Sequence, residues 1–368
     1  MNKQLMDIQQ DGDSLFNEFF EWLEGQYDTA SGGFYYAQSS KRSGQFTPDI
    51  ESTGQALNIL ERCRLLDRLN ASVREKTIRY FQSKQDPMTG LFYDTDPNMR
   101  LDDVMVGRAT GYSIGALGKF GASPLYPFPK QSAATPAYME SPQTLEAWLR
   151  SISLTNSWRG CDKLSHCATY VLALSMGERA PYLAELFAYL ADLQHPSTGL
   201  WGNGSRYVQI SGTFKLHLLY NRFGIPMQRV DHIYDSILDV LRKEHATDMC
   251  YIRNPISLLS SMKISIPLDE MTEIAEITIA NMAKLKREDG AFSREIDRSP
   301  PAPNIAQVKK GETYPDMPIP VPLGLGLVES DMNASTQAVL IRYTLRELSG
   351  LPVQHLPVPQ SLLSFSQI

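Results

Sequence analysis

Six short stretches of this 368-residue chain carry the side chains that could do chemistry, and each lies at or near the start of a helix-like run. They supply Glu51 and Thr53, then Arg100, Asp102, Asp103 and Arg108, then Arg159, Asp162 and His166. Further along come Asn203, Arg206, Tyr207 and Gln209, then Arg253 and Asn254, and finally Glu329, Asp331 and Asn333. Glycoside hydrolysis needs two carboxyl groups, one as acid and one as base or nucleophile. Asp102 or Asp103 with Glu51 or Asp331 meets that need. Elimination needs a neutralising group and a base, for which Asn203, Arg206, Tyr207 and His166 are candidates. Glu51, Asp102, Asp103, Asp331, His166 and Tyr207 are therefore the catalytic candidates. The substrate-binding candidates are Arg100, Arg108, Arg159, Asn203, Arg206, Gln209, Arg253, Asn254 and Asn333. This mixture of carboxylates, amides, arginine and tyrosine suits a hydroxyl-rich ligand; a carbocation cyclase wants a more uniformly apolar, aromatic pocket.

A plainer role competes at several of these positions. Asp49, Asp102, Asp162 and Asp331 precede or open helix patterns, where a carboxylate caps free backbone N–H groups. His166 falls within a helix pattern, where a structural role is as natural as a catalytic one. Cys161, Asp162, His166 and Cys167 contain zinc-ligand types, but Cys161 and His166 are five apart, an imperfect helical face, and no metal or other cofactor is expected. The four cysteines form no Cys-x-x-Cys and read as buried free thiols.

The elements that must position these groups come from an internal repeat. FFEWLEGQYDTASGGFYY, RYFQSKQDPMTGLFYD, AYLADLQHPSTGLWG and NMAKLKREDGAFSRE share one pattern: an amphipathic helix, a polar turn with Gly33, Gly90, Gly199 or Gly290, then an aromatic. Two weaker copies end near Trp158 and Cys250, giving six units. In the third unit Leu186, Phe187, Leu190 and Leu193 make one helical face, Pro196 disfavours helix at His195, and Trp201 can fold back over the helix end. The spacing predicts outer helices near 13–24, 71–84, 142–153, 178–193, 230–243 and 268–285. Helices richer in Gly, Ala and Ser follow most turns, and small residues allow the close approach that an inner ring needs. The fold class expected is all-α, a single (α/α)6 toroid of about six hairpins spanning 1–368. In such a ring the starts of the inner helices converge, so the polar stretches would share one cleft.

Tyr189, Leu190, Gln194, Gly199 and Trp201 resemble the QW repeat of the terpenoid cyclase and protein prenyltransferase toroids, and Phe81, Gln85, Gly90 and Phe92 match it more loosely. The run Asp86 to Phe92 also resembles the unsaturated glucuronyl and rhamnogalacturonyl hydrolases, which are (α/α)6 sugar enzymes. The resemblance covers most of the chain as architecture and implies a toroid; toroids host unrelated reactions, so it implies no single one. The cyclase Asp-x-Asp-Asp is missing: Asp49-Ile50-Glu51-Ser52 lacks the central aspartate. Leu101-Asp102-Asp103-Val104 lacks the third aspartate of Asp-Asp-x-x-Asp.

Composition narrows the partners. The chain is 42% hydrophobic with net charge -6 and no basic run, which argues against nucleic acid. The polar start MNKQLMDIQQDGD has no apolar core of a signal peptide, and no run approaches 18 apolar residues, so a cytoplasmic protein without a membrane partner is expected. Two Pro-rich stretches interrupt the repeat, one from Leu125 and one over 298–328, and the second could cover the cleft. The expected function is an enzyme cleaving a glycan or oligosaccharide, by hydrolysis or elimination. The alternatives are an isoprenoid cyclase or transferase and a non-catalytic ligand-binding toroid.

Overall fold

The computed structural model describes residues 3–127, 136–314, 317–356 and 358. Fourteen α-helices and a few short 3-10 helices make up the regular structure there, and the β contribution among the described residues is isolated bridges. The chain is all-α. No helix among the described residues is long and apolar enough to cross a membrane.

In order, the helices are α1 (Lys3–Ser14), α2 (Phe19–Gly25), α3 (Gln38–Ser43), α4 (Ile50–Arg62), α5 (Ala71–Ser83), α6 (Asp103–Lys119) and α7 (Pro142–Ser151). They continue as α8 (Ser157–Ala173), α9 (Met176–Leu193), α10 (Arg206–Phe223), α11 (Val230–Lys243), α12 (Met249–Met262), α13 (Leu268–Leu285) and α14 (Met332–Leu348). From α4 onward, even-numbered helices alternate with odd-numbered, more exposed ones. Neighbouring even helices pack in series: α8 on α10, α10 on α12, α12 on α14, α14 on α4 and α4 on α6. Among the described residues α6 and α8 do not pack closely together. The odd series lies against this one through pairs such as α5 with α6, α8 with α9 and α13 with α14.

Four turns, after α2, α5, α9 and α13, dock onto the next even helix in the same way. The backbone N–H of the repeat aromatic donates to a hydroxyl on the next even helix: Phe34 to Thr53 (2.9 Å), Phe92 to Thr110 (3.3 Å), Trp201 to Thr213 (3.4 Å) and Phe292 to Ser335 (3.5 Å). All four rings are buried, and the indole N–H of Trp201 donates to Leu190 O at 2.7 Å. Glycine is required in these turns: Gly199 has φ 68°, and a Cβ there would meet Ile233 Cγ1 at 2.7 Å. In the first unit the left-handed glycine is Gly32, one residue before the position read from the sequence.

Three local readings are corrected. The first outer helix is two helices, α1 and α2, broken at Glu18, whose φ of 64° is left-handed. Trp158 and Cys250, read as turn aromatic and turn end, lie in the first turns of α8 and α12, because too few residues separate these helices from α7 and α11 to hold the full Gly-aromatic turn. The four cysteines are buried free thiols, as expected. Of the stretch from Leu125, residues 128–135 lie outside the described residues.

Residues 298–314 and 317–328 are tied down through many points. Tyr314 donates to Ser153 O (2.6 Å), Asn156 to Glu312 (3.1 Å), Asn304 to Ile319 O (2.9 Å) and Lys309 to Glu295 (2.7 Å). The first two contacts lie at the start of α8, and Lys309 also pairs with Asp248 at the start of α12.

Candidate functional site

An α-helix begins with backbone N–H groups that have no partner inside it. All six even helices from α4 on solve this with a side-chain cap. Asp49 accepts from Ser52 N (2.8 Å), Asp102 from Val104 N (3.0 Å), Asn156 from Arg159 N (3.1 Å) and Ser205 from Val208 N (3.4 Å). Asp248 accepts from Cys250 N (2.8 Å) and Asp331 from Ala334 N (2.8 Å). Asp162 is no cap; it sits within α8 and pairs with Lys215 of α10 at 2.9 Å.

The capped ends surround a cavity of about 170 Å³ to which all six helices contribute. Five of them do so through residues four apart, which share one helical face. These are Glu51 and Gln55, Arg108 and Tyr112, Trp158 and Asp162, Cys250 and Asn254, and Asn333 and Gln337. Lys215, Arg159 and Arg253 complete the helical wall, and Arg294, Asn304 and Gln307 close it from the segment before α14.

Inside, charges are arranged in specific pairs. Arg108 grips both oxygens of Glu51, with Nε at 3.0 Å from Oε2 and Nη2 on Oε1. Gln55 also donates to Glu51 (2.9 Å), and Asn333 reaches it at 3.5 Å. The Glu51 carboxylate raises the pKa of Arg108 further. Asp102 differs: one oxygen caps α6, and the other, Oδ2, is buried without a hydrogen-bond partner among the described residues. An unsatisfied buried carboxylate oxygen is costly, so its persistence at a cavity wall marks it for a functional reading.

Asp102, Val104 and Arg159 also belong to a second cleft of about 470 Å³, which opens where α6 and α8 stand apart. Asp103, Lys163, Tyr138, Trp148 and Tyr170 line it. Tyr138 and Trp148 stack with centroids 4.1 Å apart and planes at 18°, and Tyr170 meets Tyr138 edge-on at 6.1 Å. On the other side, a small pocket of about 20 Å³ shares Glu51, Gln55 and Asn333 with the central cavity and reaches Asp49. Burial, with Asp94 nearby, pushes Asp49 up to about 8. Its Oδ2 has no hydrogen-bond partner among the described residues, while Ile50 N donates to both oxygens of Asp94 at 3.1 and 3.0 Å.

Of the residues singled out from the sequence, the structure brings Glu51, Asp102, Arg108, Arg159, Asp162, Arg253, Asn254 and Asn333 into the central cavity and Asp103 into the neighbouring cleft. The others lie elsewhere. Asp331 is fully buried, accepting from Arg294 N (2.7 Å) and Ser299 Oγ (2.8 Å), and burial raises it to about 6. Tyr207 stacks on Tyr251 at 4.9 Å, away from the cavity. Arg206 donates to Gln209, and Gln209 to Gly202 O, so these two tie up the start of α10. Asn203 is exposed and pairs through its backbone with Leu154 and Ser157. Arg100 lies over Tyr93 at 4.5 Å, outside the cavity. His166 is on α8, with its side chain outside the described residues.

Gln55, Tyr112, Trp158, Lys215 and Gln337 were not singled out as site residues in the sequence. For all but Lys215 the signal was nonetheless there: polar or aromatic side chains four residues from a candidate. Among the described residues no group of three or more His, Cys, Asp and Glu is placed to hold a metal. No family model matches the chain, and no curated protein or solved structure matches it.

Proposed function

We propose that the chain is an enzyme that cleaves a glycan or oligosaccharide, with bond cleavage in the central cavity and part of the chain of sugars lying in the cleft between α6 and α8. The single observation that carries this reading is the shared wall. Asp102, with a free buried oxygen, faces both a polar cavity and a cleft floored by stacked aromatic rings. Sugars offer hydroxyls to amides, carboxylates and arginine, and the faces of their rings lie against aromatic side chains. An isoprenoid would offer no hydrogen bond to Asp102 Oδ2 and would strip water from a wall lined by charged and amide side chains.

The architecture that fits this reading is a toroid of six hairpins, with α4, α6, α8, α10, α12 and α14 as the inner staves. Their serial packing and their joint share of one cavity support it. Hydrolysis is favoured over elimination. Asp102 would exchange a proton with the glycosidic oxygen, and Glu51, ion-paired with Arg108, would supply the second carboxylate. Of the residues suited to elimination, Asn203, Arg206 and Tyr207 lie outside the cavity lining.

The test is a turnover assay on a panel of neutral and acidic oligosaccharides alongside prenyl diphosphates, with wild type and Asp102→Asn. Release of reducing ends by wild type and its loss in the variant is the expected result. Turnover of a prenyl diphosphate with no sugar cleavage overturns it. Binding of oligosaccharides without turnover favours a non-catalytic toroid.

A further inference from the structure

The cations of the cavity wall are not all matched. Arg108 is held by Glu51, Lys215 by Asp162 at 2.9 Å, and Arg294 by Asp248 at 3.4 Å. Arg253 of α12 is different. No carboxylate of the described residues lies within ion-pair distance of it, and its one hydrogen bond runs from Nη1 to the neutral amide oxygen of Asn254 at 2.9 Å. Its Nε is buried without a partner, and its guanidinium lies over the ring of Phe214 at 4.3 Å. Burial pulls its pKa down, Cys250 and Tyr112 raise it, and the like charge of Arg108 adds to the lowering. An arginine keeps its proton in a protein, so this site holds a fixed positive charge with unused donors. The aromatic face below it fixes the plane of the fork, and the residue lines the central cavity.

We propose that Arg253 is an oxyanion site: the ligand of the central cavity carries a carboxylate, sulfate or phosphate group that takes the free edge of this guanidinium. A planar fork with two adjacent N–H groups matches two oxygens of such an anion. The inference does not depend on the glycan reading, since it names the charge of the ligand and not its scaffold.

Isothermal titration of the full chain tests it with pairs that differ in charge: galacturonate against galactose, glucose 6-phosphate against glucose, and inorganic phosphate alone. Wild type is compared with Arg253→Gln and Arg253→Lys, each checked for an unchanged melting temperature. The expected result is that one anionic probe binds wild type at least about tenfold more tightly than its neutral partner, the scale of one charge-assisted pair. That preference should vanish in Arg253→Gln and survive in part in Arg253→Lys. Equal binding of the charged and neutral partners by wild type overturns the proposal even if neither variant folds. So does an anion preference that Arg253→Gln leaves intact. An Arg253-dependent preference for phosphate with no cleavage of any sugar would keep the oxyanion site and remove the glycan reading. Cleavage of neutral sugars at an unchanged rate in Arg253→Gln would do the reverse.

Discussion

Gln194 reaches beyond the end of α9 and donates its amide to the carbonyl of Gly199 at 2.9 Å. The same nitrogen donates to Gln228 O at 2.8 Å, so one side chain ties a turn to the approach to the next odd helix. Gln85 repeats both bonds, to Gly90 O and Tyr126 O, each at 2.8 Å. In the unit ending at Phe292 the task passes to Lys286, which donates to Gly290 O (2.7 Å) and Asn17 O (2.9 Å). Removing the donor leaves two carbonyls without this partner. Gln194→Ala should therefore cost about 1–3 kcal/mol in denaturant unfolding, and Gln194→Lys should recover part of it. Equal stability of Gln194→Ala and wild type would show that the bonds are incidental.

Trp201 is fully buried against the helix end that it covers. Large-to-small changes at such a site cost about 3–5 kcal/mol, and Trp201→Ala should lower the melting temperature sharply. An unchanged melting temperature counts against the docking role of the repeat aromatics.

Asp102 caps α6 with one oxygen and leaves the other free. Asn caps as well as Asp, so Asp102→Asn should keep the melting temperature nearly unchanged while cleavage falls about 10²-fold or more. Asp102→Ala should also lose about 1 kcal/mol of stability. Full activity in Asp102→Asn would reduce the residue to a cap.

Asp49 gives a pH signature. Its ordinary value of 3.8 rises to about 8 in the folded protein. Below about pH 3.8 folded and unfolded chains both carry the proton, and Asp49 takes nothing from stability. As pH rises the unfolded chain ionises first, so stability falls until the folded carboxyl ionises near 8. Asp331, raised to about 6, acts in the same direction. Asp49→Asn, which retains the cap, should unfold at a higher temperature than wild type at about pH 8 and with little difference at about pH 4. A gain of the same size at both values would rule out the buried proton as the cause.

The stacked pair Tyr138 and Trp148 should bind substrate away from the bond that breaks. Trp148→Ala should raise KM for longer oligosaccharides several-fold, the worth of about 1 kcal/mol of ring stacking, with kcat nearly kept. A fall in kcat at constant KM would place the ring elsewhere in the mechanism.

The helices and the docking turns were legible in the sequence because both are local. A 3.6-residue apolar period, a glycine that must take positive φ and an aromatic two residues later act within about ten residues of chain. The cap role of Asp49, Asp102 and Asp331 was legible for the same reason. What separates Asp102 from Asp331 was not. Both open an even helix, but Arg294 N and Ser299 consume the second oxygen of Asp331, while that of Asp102 finds no partner among the described residues and the residue lines a cavity. Nor could spacing show that Lys215 neutralises Asp162, or that Arg253 finds Phe214 instead of a carboxylate. These partners come from different helices, and only the rotation of each helix against its neighbours decides which polar face looks inward. Tyr207 and Arg206 sit at the start of α10 like the others, yet the helix turns them toward Tyr251 and Gln209. A helix start places a residue at the right height, and tertiary packing sets its direction.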